Sequence, residues 1–131
     1  MVRAVALALA LLWAAPASAA QCRMALLLAL DVSSSVDDAE WALQREGLAA
    51  ALESPDVLGA MLGGTGGVAL AIYEWSGRRQ STVMVDWTLV TTVQDVEAIA
   101  QTLRTQPRSF RRFPTALGYA LGYGATLMRD A

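Results

Sequence analysis

Asp31, Ser33 and Ser35 stand at alternate positions in the segment Asp31-Val32-Ser33-Ser34-Ser35. Alternate residues on an extended stretch project to the same side. A carboxylate and two hydroxyls can therefore converge on one point. Hard oxygen donors of this kind suit Mg²⁺, Mn²⁺ or Ca²⁺ in preference to Zn²⁺. The same residue types also cap helices, and a loop that leads into a helix is where such caps belong. Taken as a bare fragment, D-x-S-x-S is as good a helix cap as a metal half-site.

Residue types absent from the chain narrow the chemistry. There is no His and no Lys. Imidazole acid–base catalysis, imidazole metal ligation and Schiff-base formation are thereby excluded. A hydrolase using Ser33 or Ser35 as nucleophile would have no imidazole base. With no nucleophile–base pair in sight, the chain reads as a binding protein and not as an enzyme.

The elements that must position Asp31 come next. Met24 to Leu30 is a short, continuous apolar run whose polar end is Asp31, which suits a buried parallel strand. A helix is expected from about Asp37 to Glu53, with Trp41, Leu48 and Leu52 on one face and Asp37, Glu40 and Gln44 on another. Ser35 with Asp38 resembles a capping box at its start, and Pro55 stops it. Asp56 to Leu62 reads as a further helical turn. Gly63 to Gly67 reads as a plain connection, because no Gly-Lys-Ser/Thr follows and the glycines lead into a strand.

Val68 to Trp75 is a second apolar strand and Gln80 to Trp87 a third, joined by the turn Ser76-Gly77-Arg78-Arg79 into an antiparallel hairpin. In the third strand, Val83, Val85 and Trp87 alternate with Thr82, Met84 and Asp86, the pattern of an edge strand with one wet face. A second amphipathic helix spans Thr92 to about Thr105. A basic loop from Gln106 to Phe113 follows, and a third helix starts near Pro114 with the stripe Leu117, Ala120, Leu121, Ala125 and Met128. The order strand, helix, strand, strand, helix, helix predicts an α/β fold, a mixed sheet with helices packed on it. In open sheets of this kind ligands bind at the carboxyl ends of strands, which is where Asp31 lies.

Residues 1 to 20 read as a secretory signal peptide. Arg3 is the basic start, Ala4 to Ala15 the apolar stretch, Pro16 the break, and Ala17-Ser18-Ala19 the small residues for cleavage. The apolar run is too short to span a bilayer as a helix. Cleavage after Ala19 or Ala20 leaves nine arginines against twelve acids, a net charge of −3. Such a balance gives no general attraction to nucleic acid or to anionic lipid. The expected location is periplasmic or secreted. Cys22 is the one cysteine, and an odd cysteine in an exported protein suggests a partner elsewhere.

D-V-S-S-S at the end of an apolar strand, the helix and hairpin after it, and the later Phe113-Pro114-Thr115-Ala116-Leu117-Gly118-Tyr119-Ala120-Leu121 together resemble the von Willebrand factor A (vWA) domain and its metal-ion-dependent adhesion site. More narrowly, LALDVSSSVDDAEWALQREGLAAAL and YEWSG resemble a bacterial family of exported vWA-like proteins of unassigned function. The resemblance implies a doubly wound, Rossmann-like sheet with helices on both faces, here incomplete, with about three strands and three helices over residues 21–131. It implies the ligands Asp31, Ser33, Ser35 and Thr115 for Mg²⁺, or for Mn²⁺ or Ca²⁺. It also implies an Asp after a fourth strand, which these residues do not contain.

On that reading the chain is the N-terminal part of a metal-dependent, adhesion-type module. Its partner is an unidentified protein that offers an acidic side chain to the ion. The truncated chain is expected to bind metal weakly or not at all. The competing reading is a metal-independent interaction module in which D-x-S-x-S only caps a helix. The family's sheet order leaves the first strand as an exposed edge, and related chains suggest a disulfide from Cys22 to a cysteine before the fourth strand.

Other residues carry plainer expectations. Trp41, Trp75 and Trp87 could form a carbohydrate platform, but aromatics in strands and helices are more often core. Arg108, Arg111 and Arg112 could face an anionic partner; three charges make a weak field, which favours a solvated loop. Glu74 reads as facing solvent near a strand end, and Asp86 as an edge residue that discourages further pairing.

Overall fold

The β-branched and aromatic run Gly67–Trp75 forms the strand at the centre of the sheet, and all nine of its residues are buried. The computed structural model describes residues 21–131; the segment read as a signal peptide lies outside them. Within them the order is β1 (Cys22–Asp31), α1 (Asp38–Leu52), α2 (Pro55–Leu62), β2 (Gly67–Trp75), β3 (Ser81–Val90), α3 (Val93–Thr105) and α4 (Leu117–Leu127). The sheet runs β1-β2-β3. β1 pairs in parallel with β2 from Met24↔Val68 to Asp31↔Trp75, and β2 pairs antiparallel with β3. Asp31 is thus carried to the carboxyl end of the sheet, and among the described residues β1 lies at its edge.

β2 alternates between two cores. Val68, Leu70 and Ile72 join Trp41, Leu52, Val96, Ile99 and Leu103, so α1 and α3 cover one face. Tyr73 and Trp75 join Ala120 of α4 on the other. Of the expected connection Gly63 to Gly67, residues 63–66 join α2 to β2 and Gly67 opens the strand. Gly66 adopts φ +86°, and a Cβ there would stand 2.5 Å from the carbonyl oxygen of Gln21. That position therefore needs glycine.

Four points differ from the sequence reading. The described residues form four helices, because Ser54 caps and Pro55 opens a separate two-turn helix, α2, where a single turn was expected. In β3, Met84 and Val85 are neighbours and both are buried. The register slips between Leu70 and Ile72 and again between Ile72 and Tyr73, so β3 carries extra residues and loses strict alternation.

The last helix begins at Leu117 and not near Pro114, and no side chain caps it. Residues 113–116 instead commit their backbone to tertiary bonds described below. Its expected stripe is also rotated. Ala120 and Gly124 are buried while Leu117, Leu121, Ala125 and Met128 are exposed. Gly124 lets α4 come so close that a Cβ would stand 2.8 Å from the Tyr73 hydroxyl. Trp41 and Trp75 are core residues and Trp87 is half-buried, donating to Leu127 O at 3.1 Å.

Candidate metal centre

β1 ends by handing its ladder to a turn. Val32 is fully buried and donates its N–H to Trp75 O at 2.9 Å, one step beyond the last paired strand residue. Asp31 Oδ1 then accepts the Ser33 N–H at 2.7 Å, an Asx-type turn that bends the chain away from the sheet. Ser34 N donates to Phe113 O at 2.8 Å, and Val36 N to Ser33 O at 3.0 Å.

The cap of α1 lies two residues later than the expected Ser35–Asp38 box. Asp37 Oδ1 accepts from Glu40 N at 2.8 Å, and Glu40 Oε2 accepts from Asp37 N at 2.9 Å. Asp37 and Glu40 close the reciprocal box, and Asp38 is the first residue of the helix. None of Asp31, Ser33 and Ser35 caps α1.

Their oxygens are engaged elsewhere. The Ser33 and Ser35 hydroxyls lie 3.2 Å apart, and Thr115 Oγ1 donates to Ser33 Oγ at 3.0 Å. Ser33 is fully buried at the base of this cluster, while Ser35 and Thr115 are exposed above it. The four residues named from the sequence therefore meet at one place, Asp31 through the Ser33 amide. The donor types match a hard cation, and the formal charge they supply is low. Among the described residues no group of three His, Cys, Asp or Glu side chains is placed to hold a metal. Cys22 is an exposed free thiol at the opposite end of β1 from Asp31.

Three residues that build the site escaped the sequence reading. Arg108 is not solvated; its side chain is only 3% exposed. Its Nη2 donates to Val32 O at 3.0 Å and Ser33 O at 2.9 Å, and its Nη1 lies 3.5 Å from Asp38 Oδ1. A planar guanidinium with a fan of donors suits two adjacent carbonyls. Glu74 does not face solvent either. It is fully buried, and its Oε2 accepts from Ser109 N at 2.9 Å. Ser76, also fully buried, donates from its hydroxyl to Phe113 O at 3.0 Å and accepts at its carbonyl from Ala116 N at 3.0 Å.

The loop bearing Thr115 is thus fastened at Ser109, Phe113 and Ala116, and Arg108 fixes the loop bearing Ser33. Arg111 pairs with Asp38 in the open, and Arg112 is exposed. Glu74 had a readable signal: a carboxylate in a wholly apolar central strand, sharing its face with Leu70 and Ile72, needs a buried donor. Nothing in the local sequence separates Arg108 from Arg111 and Arg112.

Residues 21–131 match the model of a family described as a protein of unknown function, DUF1194. The chain belongs to this family. No curated protein matches it. Its fold is similar to the vWF domain of the type V pili tip protein Mfa5 from Porphyromonas gingivalis, with a TM-score of 0.53 at 17% identity. That likeness covers 86% of this chain and 35% of that one. A solved structure of three N-terminal domains of the same pili tip protein gives a TM-score of 0.51 at 18% identity, covering 82% of this chain and 17% of that one. The DUF1194 chain spans little more than a third of the first of these and less of the second. At such identities the likeness is one of fold: the described residues have a vWA-like α/β fold of three strands and four helices. No helix among the described residues is long and apolar enough to cross a membrane.

Proposed function

We propose that this domain is a metal-dependent, adhesion-type protein-binding module of an exported protein. In this reading residues 1–20 direct export to the periplasm or beyond, and residues 21–131 belong to the binding domain. One observation carries it. Asp31, Ser33, Ser35 and Thr115 bring their polar groups together although α1 is capped by other residues, Asp37 and Glu40. A capping duty therefore does not account for them.

The spacing supports the same reading. Ligands about 2.1 Å from a Mg²⁺ ion at right angles stand about 3.0 Å apart, close to the 3.0 and 3.2 Å between these hydroxyl oxygens. Asp31 with Ser33, Ser35 and Thr115 would hold the ion. One carboxylate against two positive charges leaves it electrophilic, able to draw an acidic side chain from a partner. Mn²⁺ and Ca²⁺ meet the same oxygen donors. The similar fold in a pili tip protein suits a contact-making role and offers no support for turnover.

A second reading has its own observation. Asp31 Oδ1 is satisfied by the Ser33 amide, and the hydroxyls satisfy one another, so the cluster can also be a purely structural knot. Titration of residues 21–131 with Mn²⁺, followed by electron paramagnetic resonance, separates the two. The metal reading expects binding in the millimolar range, as for charge-poor oxygen sites, and its loss in Asp31→Ala. Equal binding by wild type and Asp31→Ala leaves the structural knot.

A further inference from the structure

Three cations without ion pairs of their own lie on the two segments that meet at Ser76 and Phe113. Arg78 and Arg79 occupy the β2–β3 turn, and Arg112 precedes Phe113; all three are exposed. Among the described residues none of them forms a salt bridge, whereas Arg104 pairs with Glu46 and Glu53, and Arg108 and Arg111 with Asp38. The two segments are held together. Ser76 bonds both Phe113 O and Ala116 N, and a Cβ on Gly77 would touch the Phe113 Cβ at 3.1 Å. The Arg78 guanidinium sits 5.7 Å from the centre of the Tyr119 ring. Phe113 and Tyr119 are themselves exposed.

Exposed like charges on touching segments favour a partner of opposite sign. Here they lie in a chain whose net charge is −2, so the basic character is local. Arginine interleaved with exposed aromatic rings is the composition of a protein-docking surface. A bare anion would have no use for the rings. An anionic membrane would attract the patch but repel the rest of an acidic domain.

We propose that this rim docks an acidic polypeptide segment carrying several carboxylates, one directed at the Ser33–Ser35–Thr115 cluster and the others at Arg78, Arg79 and Arg112. The first contact rests on the metal reading above; the arginine contacts do not.

Fluorescence anisotropy with labelled octaglutamate, and octaglutamine as the neutral probe, tests this at low salt in EDTA. Octaglutamate binds residues 21–131 and octaglutamine does not. The triple variant R78Q/R79Q/R112Q, with an unchanged circular dichroism spectrum, weakens binding about tenfold, since each exposed charge contact contributes a factor of a few. R112Q alone weakens it about threefold on the same grounds. R129Q, at an exposed arginine beyond the end of α4, leaves it unchanged. Failure of octaglutamate to bind in EDTA overturns the proposal, and so does equal binding by wild type and the triple variant. Capture of the chain by phosphatidylserine vesicles through these same arginines, without octaglutamate binding, overturns it in favour of a membrane. Octaglutamate binding that survives EDTA but gains nothing from Mg²⁺ supports the rim and defeats the metal reading alone.

Discussion

The two faces of the sheet are held by different forces. On one face, α1, α2 and α3 bury a broad apolar core that includes Leu70, Ile72, Val96 and Leu103 at essentially zero exposure. On the other, α4 buries only Ala120 and Gly124, and Leu121 is 63% exposed. α4 is instead located by aromatic side chains. Tyr73 donates its hydroxyl to Ala120 O at 2.9 Å, and Trp87 its indole N–H to Leu127 O at 3.1 Å. Tyr73 also packs against Tyr123, ring centres 5.4 Å apart.

Apolar burial is the stronger stabiliser and is indifferent to direction. A hydrogen bond contributes less and fixes position better. The candidate site draws on both: Ser33 and Arg108 belong to the well-packed side, and Thr115 leads into the lightly held helix. Between β1 and α4 a groove of about 370 Å³, lined by Ala25, Leu27, Ala29, Leu121 and Met128, marks how little covers that side.

The contrast is broken most directly by large-to-small substitutions. Leu103→Ala is expected to cost about 2–5 kcal/mol in urea unfolding, and Leu121→Ala less than about 0.5 kcal/mol. Similar losses at both positions would mean that α4 is packed as tightly as α3. Arg108→Met is expected to cost about 1–3 kcal/mol, because the Val32 and Ser33 carbonyls lose a buried donor. A cost near zero would show that the site loop holds itself.

Tyr73→Phe removes one directed bond, for about 1 kcal/mol. It should speed amide exchange in α4 while leaving α3 protected; uniform acceleration would show that the two faces open together. The smallest effect is in the pH dependence. Asp95 has its pKa lowered, first by the Thr91 backbone N–H and then by the Thr92 hydroxyl and amide. Glu53 is lowered chiefly by its bond to Arg104. Folded values below the unfolded ones mean that this stability is present above the ordinary carboxylate range and is lost as pH falls through the lowered values. D95N should flatten the acid side of the urea-midpoint profile slightly; an unchanged profile would remove Asp95 from the account.

Much of this was legible in advance. Apolar runs located β1 and β2, alternation located β3, and helical periodicity located α1 and α3. The hairpin followed from the short turn at Ser76. The meeting of Thr115 with Ser33 came from a resemblance, because no local pattern predicts a contact across the whole fold. Glu74 and Arg108 were misplaced for one reason. A charge signals solvent on average, and what overrules the average is a partner that only the folded chain supplies: the Ser109 amide for one, the Val32 and Ser33 carbonyls for the other. The stripe on α4 misled because Gly124 and Ala120, small and weakly apolar, make the close approach to Tyr73 while the larger side chains face out. Pro55 was read as an end and is also a beginning.

The bond from Thr115 to Ser33 joins residues 82 apart, and those from Arg108 to the same loop span 75 and 76. Closing loops of that length costs entropy that only extensive native structure offsets. A nascent chain halted before Pro114 would hold Asp31, Ser33 and Ser35 yet lack the Thr115 hydroxyl. Whatever binds all four would therefore ignore molecules in which the β1 loop has formed but the Thr115 loop has not yet docked on it.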